Sequence, residues 1–371
     1  MRVALVHDWL TGVGGSERVL AELHELFPDA PIFTAAFDPA RTLPEFAGAD
    51  VRTSFLQRSM LRAANYGPMI PLMPLAFGSF DTRGFVLLLV SSHTAAKGIR
   101  KRPGQVMVCY CHTPMRWAWD LSNFYLQHRA PTPFARLAVR AVLRGFRAWD
   151  RRSANKVDQF IANSENVRRR IQRYYRRDAA VIWPPVDTAR FAVSPQVSED
   201  FLLVSRLEDY KRVDIAVDAF TSLGWPLRVV GSGPQDTSLR TRAGSSITFL
   251  GALGDAELAR EYSRARAVVF TADEDAGIVP LEAMASGRPV LALRAGGAIE
   301  VVVEGATGAF FDSPSPVELL AALHRFHPEN YDPTVIRRHA QQFDRAHFRA
   351  ALMRCIDGAM TGLGPTPALA R

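Results

Sequence analysis

Short apolar runs alternate with helix-like stretches along the whole of this 371-residue chain. That alternation is what parallel sheets with crossover helices require, and it restricts the chain to an α/β architecture. Strands are expected at 2–7, 85–91, 105–110, 159–163 and 180–183. After Pro184-Pro185 the pattern restarts, with strands expected at 200–205, 227–231, 247–250, 267–271 and 289–293. The length exceeds what one typical core needs. The expectation is therefore two doubly wound domains, 1–185 and 186–342, joined near 185–197 and facing a central cleft. Ligands of such domains bind at the carboxyl ends of strands, so chemistry is sought just after each apolar run.

Four segments meet that condition. The first is 273–289, DEDAGIVPLEAMASGRP, behind the run AVVFTA. Pro280 suits a first helical position, and Gly287 with Pro289 suits a stop. The amides of Gly277, Ile278 and Val279 then open the helix and can hold an anion. Glu274 in the loop and Glu282 in the expected first turn flank them. Acids beside a phosphate site do not bind phosphate; they accept hydrogen bonds from sugar or ribose hydroxyls.

The second segment is SRLEDYKRV, 205–213, behind FLLV. Arg206 and Lys211 follow the strand end and suit a diphosphate, one as a planar fork and one as a point charge. The third is DWLTGVGGSER, 8–18, where Gly12, Gly14 and Gly15 let the backbone approach a ligand and Ser16 is expected to cap a helix. Its glycines do not follow the dinucleotide fingerprint. The fourth is CYCHTPMRWAWD, 109–120, where His112 follows a strand end and is expected to project towards a ligand.

Composition narrows the partners. The three cysteines are too few for a disulfide scaffold, and Cys109 and Cys111 are read as pointing to opposite faces of a strand, so a reducing cytoplasm is expected. No cluster with metal-ligand spacing is seen, and no metal or other cofactor is expected. Met1 leads straight into a strand, so no signal peptide is expected, and no apolar run approaches the ~20 residues of a membrane span. Residues 1–185 carry 26 Lys+Arg against 14 Asp+Glu, whereas the remainder carries 19 against 23. Within 97–177 the ratio is 19 to 4, which implies an anionic partner for the first half. A nucleic-acid binder would use that charge but would leave Glu274, Glu282 and the glycine loop without a role. A nucleotide-sugar epimerase or a sugar-nucleotide sensor would leave the basic domain without one.

Taken in order, these segments resemble GT-B fold, retaining glycosyltransferases of family 4. FIANSENVRRRI, VIWPPVDTARF, SRLEDYKRVDIAVDAF, VVGSGP and GIVPLEAMASGRPV all look like segments of that family, and Glu274 and Glu282 have the spacing of its acidic motif. The resemblance implies that Arg206 and Lys211 hold the donor diphosphate, Glu282 the ribose and Glu274 a sugar hydroxyl. It implies further that Gly277, Ile278 and Val279 give amides to sugar and phosphate. Gly14 and Gly15 would pass close to the donor, and His112 would contact the transferred sugar. A final helix near 343–360 would pack back on the first domain. The segments look most like bacterial mannosyltransferases that use GDP-mannose in polysaccharide or O-antigen assembly, with a UDP-sugar as the alternative donor. The acceptor would be a glycan or a polyprenyl-diphosphate-linked oligosaccharide.

One stretch, 134–152, bears on where that acceptor is met. Arg136, Arg140, Arg144, Arg147 and Arg151 recur at helical spacing, with Phe134, Leu137, Leu143, Phe146 and Trp149 around them. With the apolar loop 69–77, it is read as a peripheral contact with the anionic inner face of a cytoplasmic membrane.

Overall fold

The computed structural model describes residues 1–63, 66–122 and 132–362. The tail expected to be disordered after Gly362 lies outside them. The chain divides into two compact units, Met1–Pro184 with Phe348–Arg371, and Pro185–His347.

The first unit is built on a seven-stranded parallel sheet, in the order β3-β2-β1-β4-β5-β6-β7. Its strands are β1 (Val3–His7), β2 (Ile32–Thr34), β3 (Val51–Thr53), β4 (Leu87–Ser92), β5 (Val106–Cys111), β6 (Gln159–Ala162) and β7 (Ala179–Val181). The central strands β1 and β4 are apolar up to their carboxyl ends, where His7, Ser91 and Ser92 stand, because both faces are covered. Their period of two divides them between two cores: Ala4, Val6, Leu88 and Val90 pack on one side, and Val3, Leu5, Leu87 and Leu89 on the other. Cys109 and Cys111 both join the first core and are unbridged. The expectation of opposite faces is corrected, since residues two apart on a strand share a face.

The second core is completed by the helix Arg345–Thr361, which contributes Phe348, Leu352, Cys355 and Ile356. Burying each of the larger three is worth about 1.5–3 kcal/mol. Arg349 fastens the same helix, donating to Glu22 at 2.7 Å and also to Glu25.

The second unit carries six parallel strands in the order β10-β9-β8-β11-β12-β13. They are β8 (Phe201–Val204), β9 (Leu227–Val230), β10 (Ile247–Gly251), β11 (Ala267–Phe270), β12 (Val290–Leu293) and β13 (Gly308–Phe311). Gly308 has a structural reason: a Cβ there would meet the Val290 carbonyl oxygen at 2.0 Å. The helix Val213–Leu223 covers one face and ends on Gly224, whose φ of +67° makes it a left-handed cap.

The basic helix runs from Pro133 to Ala154, capped by the Thr132 hydroxyl, which accepts from the Ala135 amide. The expectation that all five arginines serve one surface contact is corrected. Arg147 donates to the Ala118 carbonyl at 2.6 Å and Arg151 to the Tyr174 carbonyl at 2.8 Å, and both stack over Trp119. Leu143 is buried, and Phe146 and Trp149 pack on the core. What stays exposed is the first half, with Phe134, Leu137 and Val142 among Arg136, Arg140 and Arg144. The segment 69–77 is not a loop. It forms a 3-10 turn, Gly67–Leu72, and a short helix, Met73–Gly78, which bury Met73, Ala76 and Phe77 and leave Leu72 and Leu75 exposed.

Candidate functional site

In each unit the strand order reverses once, and the reversal opens a crevice at the carboxyl ends of two neighbouring strands. In the second unit those strands are β8 and β11. Arg206 and Lys211 follow the first; Glu274 and Glu282 follow the second.

Lys211 and Glu274 meet there. The Lys211 ammonium donates to Glu274 Oε1, and its backbone carbonyl accepts from Thr271 Oγ1 at 3.0 Å. The turn that presents Lys211, Asp209–Lys211, ends on Arg212, whose φ of 53° is left-handed. That conformation is uncommon for a non-glycine residue and turns the chain sharply into the following helix. Arg206 is exposed and donates to the Tyr210 hydroxyl at 2.7 Å within the same turn.

Glycines bring the neighbouring loops into contact with this pair. A Cβ on Gly231 would lie 1.8 Å from the Ser205 carbonyl oxygen, and one on Gly233 would lie 2.5 Å from that of Leu207. After β12, a Cβ on Gly296 would meet the Glu274 carbonyl oxygen at 2.1 Å, and one on Gly297 the Ala276 Cα at 2.7 Å. The Gly297 amide donates to the Glu274 carbonyl at 2.8 Å. Four loops are thus locked together by contacts that only glycine permits.

The helix behind Glu274 is Ile278–Ala285, capped by Gly277. It begins earlier than Pro280, which becomes its third residue. A proline fits there because that amide has no intrahelical partner. Glu282 therefore stands in the second turn, not the first. It is buried and held at both oxygens: Arg190 donates to Oε1 at 3.0 Å, and the Tyr262 hydroxyl donates to Oε2 at 3.0 Å. Of the three expected free amides, that of Ile278 is turned onto the Ala276 carbonyl at 3.1 Å. Arg190 was not foreseen; it also donates to Asp255 at 2.7 Å. The signal was present in VIWPPVDTARF but lay well before the unit's first strand.

In the first unit the reversal falls between β1 and β4. Gly14 caps the helix Gly15–Leu26 through its backbone alone, and Ser16 donates its hydroxyl to Glu17 Oε2 at 2.9 Å instead of capping. Asp8, fully buried, accepts four backbone amides from the loop after β4: His93 at 2.6 Å, Thr94 at 2.9 Å, Ala95 at 2.5 Å and Ala96 at 2.7 Å. Burial alone would raise its pKa. His93, His7 and the amides outweigh that and hold it below the usual range.

His112 stands just past β5, partly buried, with Nε2 2.8 Å from Ser91 Oγ. Burial, assisted by His93 and His7, depresses its pKa to about 3. Ser91 Oγ also lies 3.1 Å from Nδ1 of the fully buried His7. His7 Nε2 faces Glu17 Oε1 at 3.6 Å. Burial pushes the Glu17 carboxyl up, but the His7 and His93 rings overcome this and bring it to about 2. His7, Asp8, Glu17 and Ser91 were not foreseen, because nothing in a single sequence distinguishes a buried histidine or aspartate from an exposed one.

Among the described residues no group of three or more His, Cys, Asp or Glu side chains forms a metal site. No helix among them is long and apolar enough to cross a membrane.

Comparison with known proteins defines the class. The model of "Glycosyltransferase Family 4" matches residues 13–190, and that of "Glycosyl transferases group 1" matches residues 188–343. With its two parallel-sheet units, the chain is a glycosyltransferase of the GT-B type. Over 370 residues it is 24% identical to the alpha-1,3/1,6-mannosyltransferase ALG2 of Homo sapiens, covering 85% of each chain. It is 29% identical over 210 residues to a D-inositol 3-phosphate glycosyltransferase of Nocardiopsis dassonvillei, covering 46% of this chain and 48% of that relative. Its fold is similar to that of Anabaena Alr3699/HepE in complex with UDP-glucose, with a TM-score of 0.72, 20% identity, and 96% and 100% coverage. It is also similar to sucrose-phosphate synthase of Thermosynechococcus elongatus, with a TM-score of 0.73, 17% identity, and 98% and 100% coverage.

Proposed function

We propose that the protein is a retaining, metal-independent hexosyltransferase that takes mannose from GDP-mannose and delivers it to a glycan or polyprenyl-diphosphate-linked acceptor in bacterial polysaccharide or O-antigen assembly. The observation that carries this reading is the meeting of Lys211 and Glu274 at the carboxyl ends of β8 and β11. A cation that can neutralise a departing diphosphate stands beside a carboxylate that can accept a sugar hydroxyl. Arg206 adds a second charge, Gly277 and Val279 add amides, and Glu282, fixed by Arg190 and Tyr262, receives the ribose. Gly14, Gly15 and His112 serve the transferred sugar. In the reaction the acceptor oxygen bonds to the anomeric carbon as the bond from that carbon to the diphosphate oxygen breaks. The acceptor proton passes to the departing phosphate on the same face, so no protein nucleophile is needed.

Mannose is supported by the relative that spans most of both chains, a mannosyltransferase. A UDP-sugar is the second reading, supported by the structural neighbour that holds UDP-glucose. A panel of GDP- and UDP-sugars, scored by calorimetry and by sugar release, separates them. Tight binding of GDP-mannose alone supports the first, and of a UDP-sugar alone the second.

We infer that the first unit meets its acceptor on an anionic membrane. The exposed face of the helix Pro133–Ala154 offers Arg136, Arg140 and Arg144 beside Phe134, which is 81% exposed. Three basic residues at a surface are worth about 1 kcal/mol each, enough for reversible contact with apolar insertion added. Co-sedimentation with anionic and neutral vesicles tests it. Binding that ignores lipid charge, or survives charge reversal of all three arginines, contradicts it.

A further inference from the structure

We infer that the Glu17 carboxylate, facing His7, and the hydrogen bonds between His7 and Ser91 and between Ser91 and His112 form a relay that fixes the proton of His112 on Nε2, so that Nδ1 is presented as a lone-pair acceptor for a hydroxyl of the transferred sugar. The sugar contact rests on the function proposed above; the relay itself does not.

The argument runs outward from the carboxylate. His7 Nε2 faces Glu17 Oε1 at 3.6 Å in a fully buried position, with no hydrogen-bond partner of its own. A lone pair directed at a buried carboxylate is repelled, so that nitrogen carries its hydrogen. When the His7 ring carries a single hydrogen, the condition under which the relay is set, the other nitrogen, Nδ1, is then an acceptor. Ser91 Oγ is 3.1 Å away and supplies the hydrogen. A hydroxyl has one hydrogen, so Ser91 turns a lone pair towards its second neighbour, His112 Nε2, at 2.8 Å. That nitrogen must therefore be the N–H of His112. Nδ1 is left without a protein partner among the described residues, carrying a lone pair.

The surroundings hold the relay in place. Glu17 is fixed by the Ser16 hydroxyl at 2.9 Å, and a Cβ on Gly14 would meet its Oε2 at 2.9 Å. Ser91 sits on β4, paired with His7 on β1 in register. The His112 amide donates to the Ser92 carbonyl at 2.9 Å, and its carbonyl accepts from Asn163 Nδ2 at 3.0 Å. The loop that starts the helix Gly15–Leu26 is thereby linked to the ring past β5. His7, Ser91 and Glu17 are positioning residues. A hydroxyl accepted by a neutral imidazole keeps the sugar oriented without putting a charge beside it.

The test is two-bond 1H–15N spectroscopy of the full chain with labelled histidine rings at pH 8, with His112 assigned from the spectrum of His112→Asn. The expected result is an unprotonated Nδ1 and a protonated Nε2 on His112. Ser91→Ala should give mixed tautomers and lower kcat roughly tenfold, with nucleoside diphosphate affinity unchanged. Ser91→Thr, which keeps the hydroxyl, should restore both. A wild-type His112 protonated on Nδ1 overturns the relay, as does a tautomer that Ser91→Ala leaves unaltered. If the tautomer is as stated but no nucleotide-sugar releases its sugar, the relay stands and the proposed function falls.

Discussion

Arg190 donates one nitrogen to Glu282 at 3.0 Å and another to Asp255 at 2.7 Å, tying a 3-10 turn at the start of the second unit to the helix behind the candidate donor site. Glu282 is thus held at one oxygen by Arg190 and at the other by the buried Tyr262 hydroxyl, which under the proposed function aims it before the ribose arrives. Glu282→Ala should weaken donor binding about ten- to a hundredfold, as expected for loss of a charge-assisted hydrogen bond worth about 1.5–3 kcal/mol. Arg190→Ala should reproduce a fraction of that loss. Calorimetry with the nucleotide-sugar measures both; equal affinity in Glu282→Ala and wild type removes the assignment.

Under the proposed function Lys211 and Glu274 take different parts of the donor. Lys211→Ala and Arg206→Ala should each weaken a nucleoside diphosphate far more than the corresponding nucleoside, because both charges are assigned to phosphate. Glu274→Ala should depress turnover about ten- to a hundredfold with a smaller effect on binding. Equal loss of nucleoside and diphosphate affinity in Lys211→Ala contradicts the division.

Activity should persist in excess chelator. The candidate site supplies two cations and a helix start for the leaving group. Activity that disappears with chelator and returns with magnesium or manganese would show that a metal does this work.

Glu17 makes stability depend on pH. Its folded pKa of about 2 lies below the ordinary value of 4.5. The stability it contributes is complete above about pH 5 and is lost as pH falls towards 2, up to about 3 kcal/mol in all. Wild type should therefore melt above Glu17→Gln at pH 7, and the gap should shrink by roughly a third to a half by pH 3.5. A gap that is constant or grows on acidification contradicts the buried carboxylate's role.

Strand ends and their glycines made the placement of the second unit's candidate residues legible in sequence: Arg206, Lys211, Glu274 and Glu282 all follow apolar runs, and all stand at the reversal between β8 and β11. Three strands were missed. β2 and β3 have three residues each, too few to show alternation, and β13 opens on Gly308. The start of the helix at Ile278 was obscured by Pro280, which suits several first-turn positions. The first unit's polar chain was not legible, because it joins His7, Glu17, Ser91 and His112 through register and burial. Only the fold supplies those.

The central claim is transfer with retention at the Lys211–Glu274 site. It is tested most directly by incubating wild type and Glu274→Ala with α-configured GDP-mannose and a mannosyl acceptor, and reading the new anomeric signal by NMR. The account predicts an α-linked product from wild type and roughly ten- to a hundredfold less of it from Glu274→Ala. A β-linked product, or equal yields from both proteins, would contradict it.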